Sequence, residues 1–433
     1  MKSRIISFSI LILFLTSVTF SITPSKAQEK SLKDRLGEIV VKPGGVQKIG
    51  AADFLARAGT NPSEVDMFNQ VLVDDLRFTN LLDLVGKSLY PKKGVPSPSE
   101  LNAAEWSGEP AKLDYLAFGR IEGNSVYAYF YDVKTKTGLI EKVYRESSIR
   151  LSAHQFADDI IKKLFNIDGI ATSKIAYTNN KEIKLMDYDG YNQRVLVSDG
   201  SYAILPSLSP DGSRLAYISY KTGVPSIEVH STKDGLPYSF LSPPRGTVSS
   251  PQFASDGRVV YSSSKDSEAM EIYVSNNDGN RARRLTNNGQ IIDTSPRWNP
   301  KTGNEIAFIS DRSGSPQIYI MDADGSNVRR VLEEGGQADS PAWSPDGEFI
   351  AYTWRPSGAG QSNIYVLDPA RKQILQITDG PGSNEAPAWA PDSRHIAFQS
   401  NRTGRWEVYI MNLDGTGQKQ ISKGGGKMPT WSR

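Results

Sequence analysis

The feature that most constrains the fold of this chain is a proline anchor that recurs at nearly constant intervals. Each anchor is a proline followed two positions later by an aromatic residue or a leucine. The six pairs are Pro206/Leu208, Pro251/Phe253, Pro296/Trp298, Pro341/Trp343, Pro387/Trp389 and Pro429/Trp431, and successive prolines lie 45, 45, 45, 46 and 42 residues apart. A repeat of about 40–45 residues is typical of the four-stranded blades of a β-propeller.

Two further apolar runs repeat in step with the anchor and indicate additional strands in each unit. The second run begins at Ile175, Leu215, Val259, Ile306, Ile350 and Ile396, and the third begins at Ile183, Ile227, Ile272, Ile318, Ile364 and Val408. A turn pair such as Asp324-Gly325 usually follows the third run, with Asp368-Pro369 as the exception. Asp-Gly between two β runs predicts a hairpin, because glycine adopts positive φ without a Cβ clash. The counts predict six blades.

The phase of the repeat predicts how the ring closes. The second-strand run at Ile175 precedes every anchor, and no further run follows the anchor at Pro429 and Trp431. We therefore expect the strand that carries Trp431 to pair beside the strand at Ile175. Such closure leaves no open sheet edge. The predicted fold class is an all-β six-bladed β-propeller over residues 171–433, preceded by a small α/β domain.

Residues 38–170 lack the repeat and predict that α/β domain. Asn61-Pro62-Ser63-Glu64 predicts a helix start, and its apolar face recurs at Val65, Phe68, Leu72 and Leu76. Leu82 to Val85 predicts a strand, and an antiparallel meander is predicted for the runs Tyr115 to Ile121, Val126 to Val133 and Leu139 to Ile149. Ser152 and Gln155 resemble a capping box that would begin a second helix, which Gly169 would end.

Residues 1–27 predict a secretory signal. They begin with the basic residues Lys2 and Arg4, continue through an apolar run, and end in the cleavage-like Ser25-Lys26-Ala27. An uncleaved membrane anchor is the alternative, although the apolar run is shorter than the roughly 20 residues that a spanning helix needs. Residues 28–37 are charged, and we expect a flexible N-terminal peptide that serves either as a spacer or as a partner-binding segment.

Composition and motifs argue against several classes of function. Loss of residues 1–27 changes the formal net charge from +2 to −1, which does not fit a nucleic-acid binder. The chain has no cysteine, which excludes disulfides and thiolate metal sites. It has no Gly-x-Ser-x-Gly motif, and His154, His230 and His395 lie in different predicted elements. We predict no catalytic residues and no enzyme; an exported propeller enzyme or a glycan-binding module is the alternative.

Two acidic segments resemble calcium loops. Residues 187–192 and 322–327 both contain Asp-x-Asp-Gly, but glycine occupies the fourth position, whereas a calcium loop needs it at the sixth. We interpret both segments as hairpin turns. We predict no metal site and no cofactor, and no residue spacing identifies a cation in the central channel.

The loops that enter each proline anchor predict a functional surface. They vary while the strands repeat, and they must all emerge on one face of the ring, around the mouth of the channel. Asp293, Asp339 and Glu385 precede their prolines by two or three residues and would bring carboxylates near this mouth. Capping of the local turns is the alternative role for these carboxylates.

Several motifs resemble those of the TolB family of the Tol–Pal system. The propeller motifs are Pro-x-Trp-Ser-Pro-Asp-Gly at 341–347 and Ile-Tyr-x-Met-Asp-x-Asp-Gly at 318–325, and the N-terminal stretches are 71–80, 114–120 and 131–138. Leu208 and Phe253, in place of tryptophan, depart from the pattern, as does Asn299-Pro-Lys-Thr-Gly303. The resemblance covers nearly all of the chain after residue 27.

This resemblance implies a non-enzymatic, monomeric adaptor in the periplasm that is peripheral to the membranes. It would bind the peptidoglycan-associated lipoprotein Pal over the propeller mouth and the inner-membrane protein TolA through its N-terminus. The implied role is outer-membrane integrity and constriction at cell division. The positions that correspond to the family's Pal contacts, with their neighbours, are Tyr202, Leu205, Ser249, Asp293, Thr294 and Asp339.

Overall fold

A computed structural model describes residues 31–40, 47–57, 59–241, 246–276, 278–331, 335–357 and 360–433. The predicted signal and residues 28–30 lie outside the described residues. The described chain forms an α/β domain followed by six four-stranded sheets in a ring, which confirms the predicted fold class.

The N-terminal domain is one mixed sheet covered by helices. Helix α1 (Leu32–Val40) precedes this sheet and packs on the propeller instead. The covering helices are α2 (Pro62–Phe78), α3 (Ala103–Ser107) and α4 (Ile149–Phe165), and the strands are β1 (Lys48–Ala51), β2 (Leu55–Ala56), β3 (Asp83–Leu84), β4 (Tyr115–Glu122), β5 (Ser125–Asp132) and β6 (Thr137–Tyr144). The sheet order is β3-β1-β4-β5-β6, and β2 also pairs with β4. Strands β4 to β6 form the predicted antiparallel meander. Strand β1 pairs in parallel with β3 and β4. Phe68 of α2 and Phe156 of α4 pack in the core on one face of this sheet.

Helix α2 begins where the sequence predicts. The Asn61 side chain accepts a hydrogen bond from the Ser63 N–H at 3.0 Å, and Pro62 is the first helical residue. Asparagine is a strong N-cap because its side-chain oxygen satisfies an N–H that has no partner within the helix.

Helix α4 begins one turn earlier than predicted. Ser148 is its N-cap and accepts from the Leu151 N–H at 3.1 Å, whereas Ser152 is buried inside the helix. The apolar face extends back to Ile149, which is buried in the core, so the extra helical turn gains packing. The helix also ends before Gly169, because its C-cap residue, Asn166, takes a left-handed conformation.

The propeller has four antiparallel strands in each of its six blades. Blade 1 contains β30 (Lys427–Ser432), β7 (Lys174–Asn179), β8 (Glu182–Asp187) and β9 (Arg194–Val197); blade 2 contains β10 (Ala203–Leu208), β11 (Arg214–Ser219), β12 (Ser226–Ser231) and β13 (Pro237–Leu241); blade 3 contains β14 (Val248–Phe253), β15 (Val259–Ser263), β16 (Glu271–Ser275) and β17 (Arg283–Arg284). Blade 4 contains β18 (Asp293–Trp298), β19 (Glu305–Ser310), β20 (Gln317–Asp322) and β21 (Arg329–Arg330); blade 5 contains β22 (Gln337–Trp343), β23 (Ile350–Arg355), β24 (Asn363–Asp368) and β25 (Gln373–Gln376); blade 6 contains β26 (Asn384–Trp389), β27 (His395–Ser400), β28 (Glu407–Asn412) and β29 (Lys419–Gln420).

Blade 1 combines a late strand with three early ones. Strand β30 pairs antiparallel with β7 and places Trp431 opposite Ile175, which is the pairing that the phase of the repeat predicts. The Trp431 indole N–H donates to the Ser173 hydroxyl at 2.8 Å, and the Ser432 hydroxyl donates to the carbonyl of Ser209 in blade 2 at 2.6 Å. The closing strand is therefore bonded both to its own blade and to blade 2.

The innermost strand of every blade carries the same bulge. The residue before each anchor proline has a φ between 49° and 53°, and the strand register shifts at that point; these residues are Leu205, Ser250, Ser295, Ser340, Ala386 and Met428. A bulge leaves one residue unpaired and bends the strand. Positive φ is uncommon for any residue other than glycine, so the blades share a strained backbone feature at one end of the channel.

The segment expected to be a flexible N-terminal peptide is helical from Leu32 onward. Leu32 and Leu36 of α1 are buried in a cluster with Phe349 of blade 5. Arg35 forms an ion pair with Asp368, and its guanidinium lies 5.3 Å from the centroid of the Phe349 ring. Helix α1 therefore packs on the propeller through its apolar face and through the ion pair of Arg35.

The two domains meet at a buried polar network. Asp75 of α2 accepts a hydrogen bond from the Tyr188 hydroxyl at 2.6 Å and lies 2.7 Å from Nδ1 of His154. Nearby, the ring of Phe78 stacks on His395 at a centroid distance of 4.4 Å. Both domains contribute to this network, so their relative placement depends on it.

The Asp75 carboxylate predicts a pH-dependent stability. Burial raises the pKa of Asp75 from 3.8 to about 6, although His154 and Tyr188 oppose the shift. Between these values the folded state holds the proton more tightly than the unfolded state, so the contribution of Asp75 to stability is full below pH 4 and is lost as the pH rises through 6. We expect the unfolding free energy of wild type, relative to Asp75→Asn, to fall by about 2 kcal/mol between pH 4 and 7. Urea unfolding of both proteins at each pH measures this difference, and a constant difference would contradict it.

Candidate partner-binding site

The six bulges surround the mouth of a cavity in the propeller channel. This cavity has a volume of about 540 Å³, and blades 1 to 6 all contribute to its lining. Four of the predicted contact residues line it, namely Leu205, Ser249, Thr294 and Asp339. The structure thus brings these four residues together at one end of the channel.

Tyr202 lies on the rim of the same face, just before β10. Its side chain is 55 % exposed, and Lys181 Nζ lies 5.1 Å from its ring centroid. The carbonyl of Tyr202 accepts from the N–H of Tyr220, which is also exposed, and Val224 in the same loop is exposed as well. These three residues form the rim patch. Exposed apolar clusters of this kind mark protein interaction sites.

The exposed positions of Tyr220 and Val224 on this rim were not predicted from the sequence. Both lie in the six-residue connection between β11 and β12, on the face where β10 begins. Two apolar side chains in a short polar turn were the available signal, because such residues find no core to enter and remain exposed.

Asp293 does not contribute to the mouth as predicted. Its side chain is fully buried, and both carboxylate oxygens accept from Arg312 Nη2 at 2.9 Å. The Asn288 amide donates to the same carboxylate at 2.5 Å. Asp293 therefore satisfies the polar groups of two loops and is not available for direct contact with a partner.

Asp339 remains accessible at the mouth. The surrounding protein raises the pKa of Asp339, while the Ser340 N–H, at 2.6 Å, and the positive charge of Arg297 oppose the shift. One oxygen of the Asp339 carboxylate therefore accepts a hydrogen bond from the local turn, which is the alternative role considered for these carboxylates. Glu385 also lines the mouth and accepts from the Gln399 amide at 3.1 Å.

The three histidines occupy separate structural positions. His154 contacts Asp75, His230 contacts Glu228, and His395 lies 2.7 Å from Asp392 and 3.0 Å from the Phe78 carbonyl. None of them lines the mouth cavity described above.

The acidic hairpin turns bond mainly to themselves and to nearby cations. Among the described residues, one group with metal-like proximity contains His154, Asp187 and Asp189, whose ligand atoms lie within 4.8 Å of one another. Asp187 already pairs with Lys174, and Asp189 with Arg150. These pairings support the interpretation of the segment as a turn.

The repeat region of the chain matches a known protein family. A family model described as the TolB beta propeller domain matches residues 161–359 and 336–433, which is more than half of the chain. The chain belongs to the TolB β-propeller family.

Individual TolB relatives match over part of their length. "Tol-Pal system protein TolB" from Bordetella parapertussis is 31% identical over 261 residues, which cover 57% of this chain and 57% of that protein. "Protein TolB homolog" from Chlorobium chlorochromatii is 31% identical over 270 residues, or 60% of each chain. The crystal structure of TolB from Acinetobacter baumannii superimposes with a TM-score of 0.73 and 23% identity, covering 90% of this chain and 97% of that one, and it shows the shared fold.

A helix that crosses a bilayer must be both long and apolar. In the described part of the chain, no helix is both long enough and apolar enough to span a membrane.

Proposed function

We propose that this TolB-family protein is a periplasmic adaptor of the Tol–Pal system that binds the lipoprotein Pal through the propeller mouth. The observation that carries the proposal is the convergence of Leu205, Ser249, Thr294 and Asp339 on one mouth beside the exposed Tyr202. Membership of the TolB family supplies the system in which such a surface would act.

The composition of this surface fits a protein partner. Apolar and aromatic groups at the centre of an interface carry most of its energy, and charges at the edge mainly affect the association rate. The rim patch supplies exposed aromatic area, and Asp339 supplies a carboxylate that water reaches. The mouth offers recessed space into which a partner's side chain can enter.

The remaining parts of the proposed role rest on the predicted signal and on the resemblance to the TolB family. A cleaved signal at 1–27 would deliver the protein to the periplasm, and residues 28–37 would contact TolA. The adaptor would then connect an outer-membrane lipoprotein to the inner-membrane Tol proteins and support envelope constriction at division. The role is non-enzymatic, which agrees with histidines that do not converge.

Substitutions at the mouth should weaken Pal binding. We expect Tyr202→Ala or Leu205→Arg to cost about 2 kcal/mol or more, the usual scale of an interface hot spot. Asp339→Asn should cost less, and mainly at low salt, because screening weakens exposed charges. Calorimetric titration against the soluble domain of Pal measures each affinity, and melting curves show whether each variant is folded.

Asp324→Ala serves as the matched control. Asp324 is an exposed turn residue after β20, at the opposite end of the blade from the mouth, so its loss should leave Pal binding intact. Loss of binding in Asp324→Ala with normal binding by the Tyr202 and Leu205 variants would place the site elsewhere. Binding to purified cell wall but not to Pal would instead favour a glycan-binding module.

A further inference from the structure

A second cavity continues the channel on the far side of the anchor prolines. It has a volume of about 380 Å³ and opens at the ends of the innermost strands, opposite the mouth. One wall position recurs in all six blades, immediately after each proline; its occupants are Ser207, Gln252, Arg297, Ala342, Ala388 and Thr430. Arg297 is the one charged residue of this ring. It also lines the mouth cavity, so it lies where the two cavities join.

The Arg297 guanidinium has few partners of its own. Nη1 donates to the carbonyl of the preceding Pro296 at 2.9 Å. In the described part of the chain, no carboxylate lies within ion-pair distance of Arg297, and Asp339 acts on it only through longer-range attraction. Burial lowers the pKa of Arg297 to about 10, because the protein only partly replaces the water that stabilises the charged guanidinium. We call the point where the two cavities join, at Arg297, the channel waist. It holds a cation that has no direct counter-ion.

The walls around this cation combine aromatic rings with uncharged polar side chains such as Ser207, Gln252 and Thr430. The aromatic residues of the lining are Phe253, Trp298, Trp343, Trp389 and Trp431, and prolines fill the positions between blades. The other charged side chain of the lining, Arg433, is paired with Asp168, and among the described residues no acidic side chain lines this cavity. Aromatic walls with a few polar groups and one charged group are typical of ligand sites.

We propose that the channel waist is a carboxylate-binding site in which the Arg297 guanidinium holds the carboxylate. A guanidinium presents paired N–H donors that match the two oxygens of a carboxylate, and such charge-assisted bonds are strongest where water is scarce. Two sources could supply the group: a small organic acid that enters the channel, or an acidic side chain of the partner that reaches through the mouth. The second source rests on the proposed function; the first does not.

Benzoate and its neutral isostere benzamide test the free-acid source. The cavity contains four tryptophans, so tryptophan emission should change saturably with benzoate, and benzamide should bind about tenfold more weakly or worse. Arg297→Gln should weaken benzoate binding about tenfold or more, whereas Arg297→Lys should keep part of the affinity. Arg355→Gln, which removes the same charge from the mouth, should change the affinity less than about twofold. Circular dichroism and melting curves establish that the variants are folded.

The soluble domain of Pal tests the partner source. If its carboxylate reaches Arg297, the affinity falls about tenfold in Arg297→Gln and the salt dependence of binding becomes weaker. Saturable benzoate binding with unchanged Pal affinity assigns the site to a free acid. Failure of Pal to bind the wild type removes the proposed function, and the benzoate titration still decides this inference. The inference is overturned if Arg297→Gln alters neither benzoate nor Pal binding, or if benzoate and benzamide bind alike and the Pal affinity of Arg297→Gln equals that of wild type.

Discussion

Removal of residues 428–433 is expected to lower the free energy of unfolding by more than the roughly 3–5 kcal/mol that loss of a buried tryptophan alone costs. The deletion takes away Trp431, which is 8 % exposed, and all but the first residue of β30. It also exposes the edge of β7, since β30 is the neighbour that pairs with it on that side. Such a loss is a large part of the 5–15 kcal/mol that ordinarily holds a protein folded.

Thermal and urea unfolding of the full chain and the truncated chain measure this loss. Trp431→Phe is a graded control, because it keeps an aromatic ring in the same space but loses the hydrogen bond to Ser173. Its expected cost exceeds the about 1 kcal/mol that one hydrogen bond contributes, because the smaller ring also leaves a cavity, but it stays below the cost of the deletion. A truncated protein that melts at the same temperature as the full chain would show that blade 1 does not depend on β30.

Loss of the Asp293 carboxylate is expected to destabilise the fold without a specific effect on partner binding. Asp293→Ala should cost about 3 kcal/mol, the lower end for a broken buried ion pair, because the Arg312 side chain is 20% exposed and regains some hydration. The Asn288 amide loses an acceptor in the same variant. Denaturant unfolding measures the stability, and titration at a temperature where the variant is folded measures Pal affinity.

Asp339→Asn is the matched control for this experiment. Both residues are acidic and come shortly before an anchor proline, but Asp339 is accessible at the mouth and Asp293 is buried. We expect the Asp339 variant to melt close to wild type. Unchanged stability in Asp293→Ala together with lost Pal binding would restore Asp293 as a contact residue.

The blades could be predicted because their signal is local and repeated. Period, turn chemistry and strand alternation all occur within each repeat of about 45 residues, so each copy tests the same prediction. The phase argument then predicted the pairing of Trp431 with Ile175 across the whole propeller. Helix starts were predicted less well, since Ser148 and Ser152 both offer a cap and tertiary packing of Ile149 favours the earlier one.

The orientation of Asp293 could not be read from strand alternation. The register of β18 against β19 shifts between Thr294 and Arg297, so an alternating pattern counted back from Trp298 fails across the bulge. A one-residue change of register sends a side chain to the opposite face. The same shift explains why Thr294 lines the mouth and its neighbour Asp293 is buried.

The docked helix α1 had a partial signal that the composition of the segment obscured. Leu32, Leu36 and Ile39 recur at helical spacing among charged residues. Which surface would receive this face was not predictable, because Phe349 and Asp368 lie more than 300 residues away in the sequence. The position of Arg297 in the channel likewise depends on how six distant strands come together.

The ring of bulges has a consequence for how a propeller of this kind changes over evolutionary time. The rim is shaped by six backbone irregularities, and they hold side chains as different as those of Leu205, Ser250, Ala386 and Met428 in one conformation. A substitution at these positions can therefore alter what the rim recognises without altering its outline. The frame is modular: loops can be exchanged blade by blade, and a propeller of this kind can acquire a new partner through a few surface mutations while its core sequence stays the same.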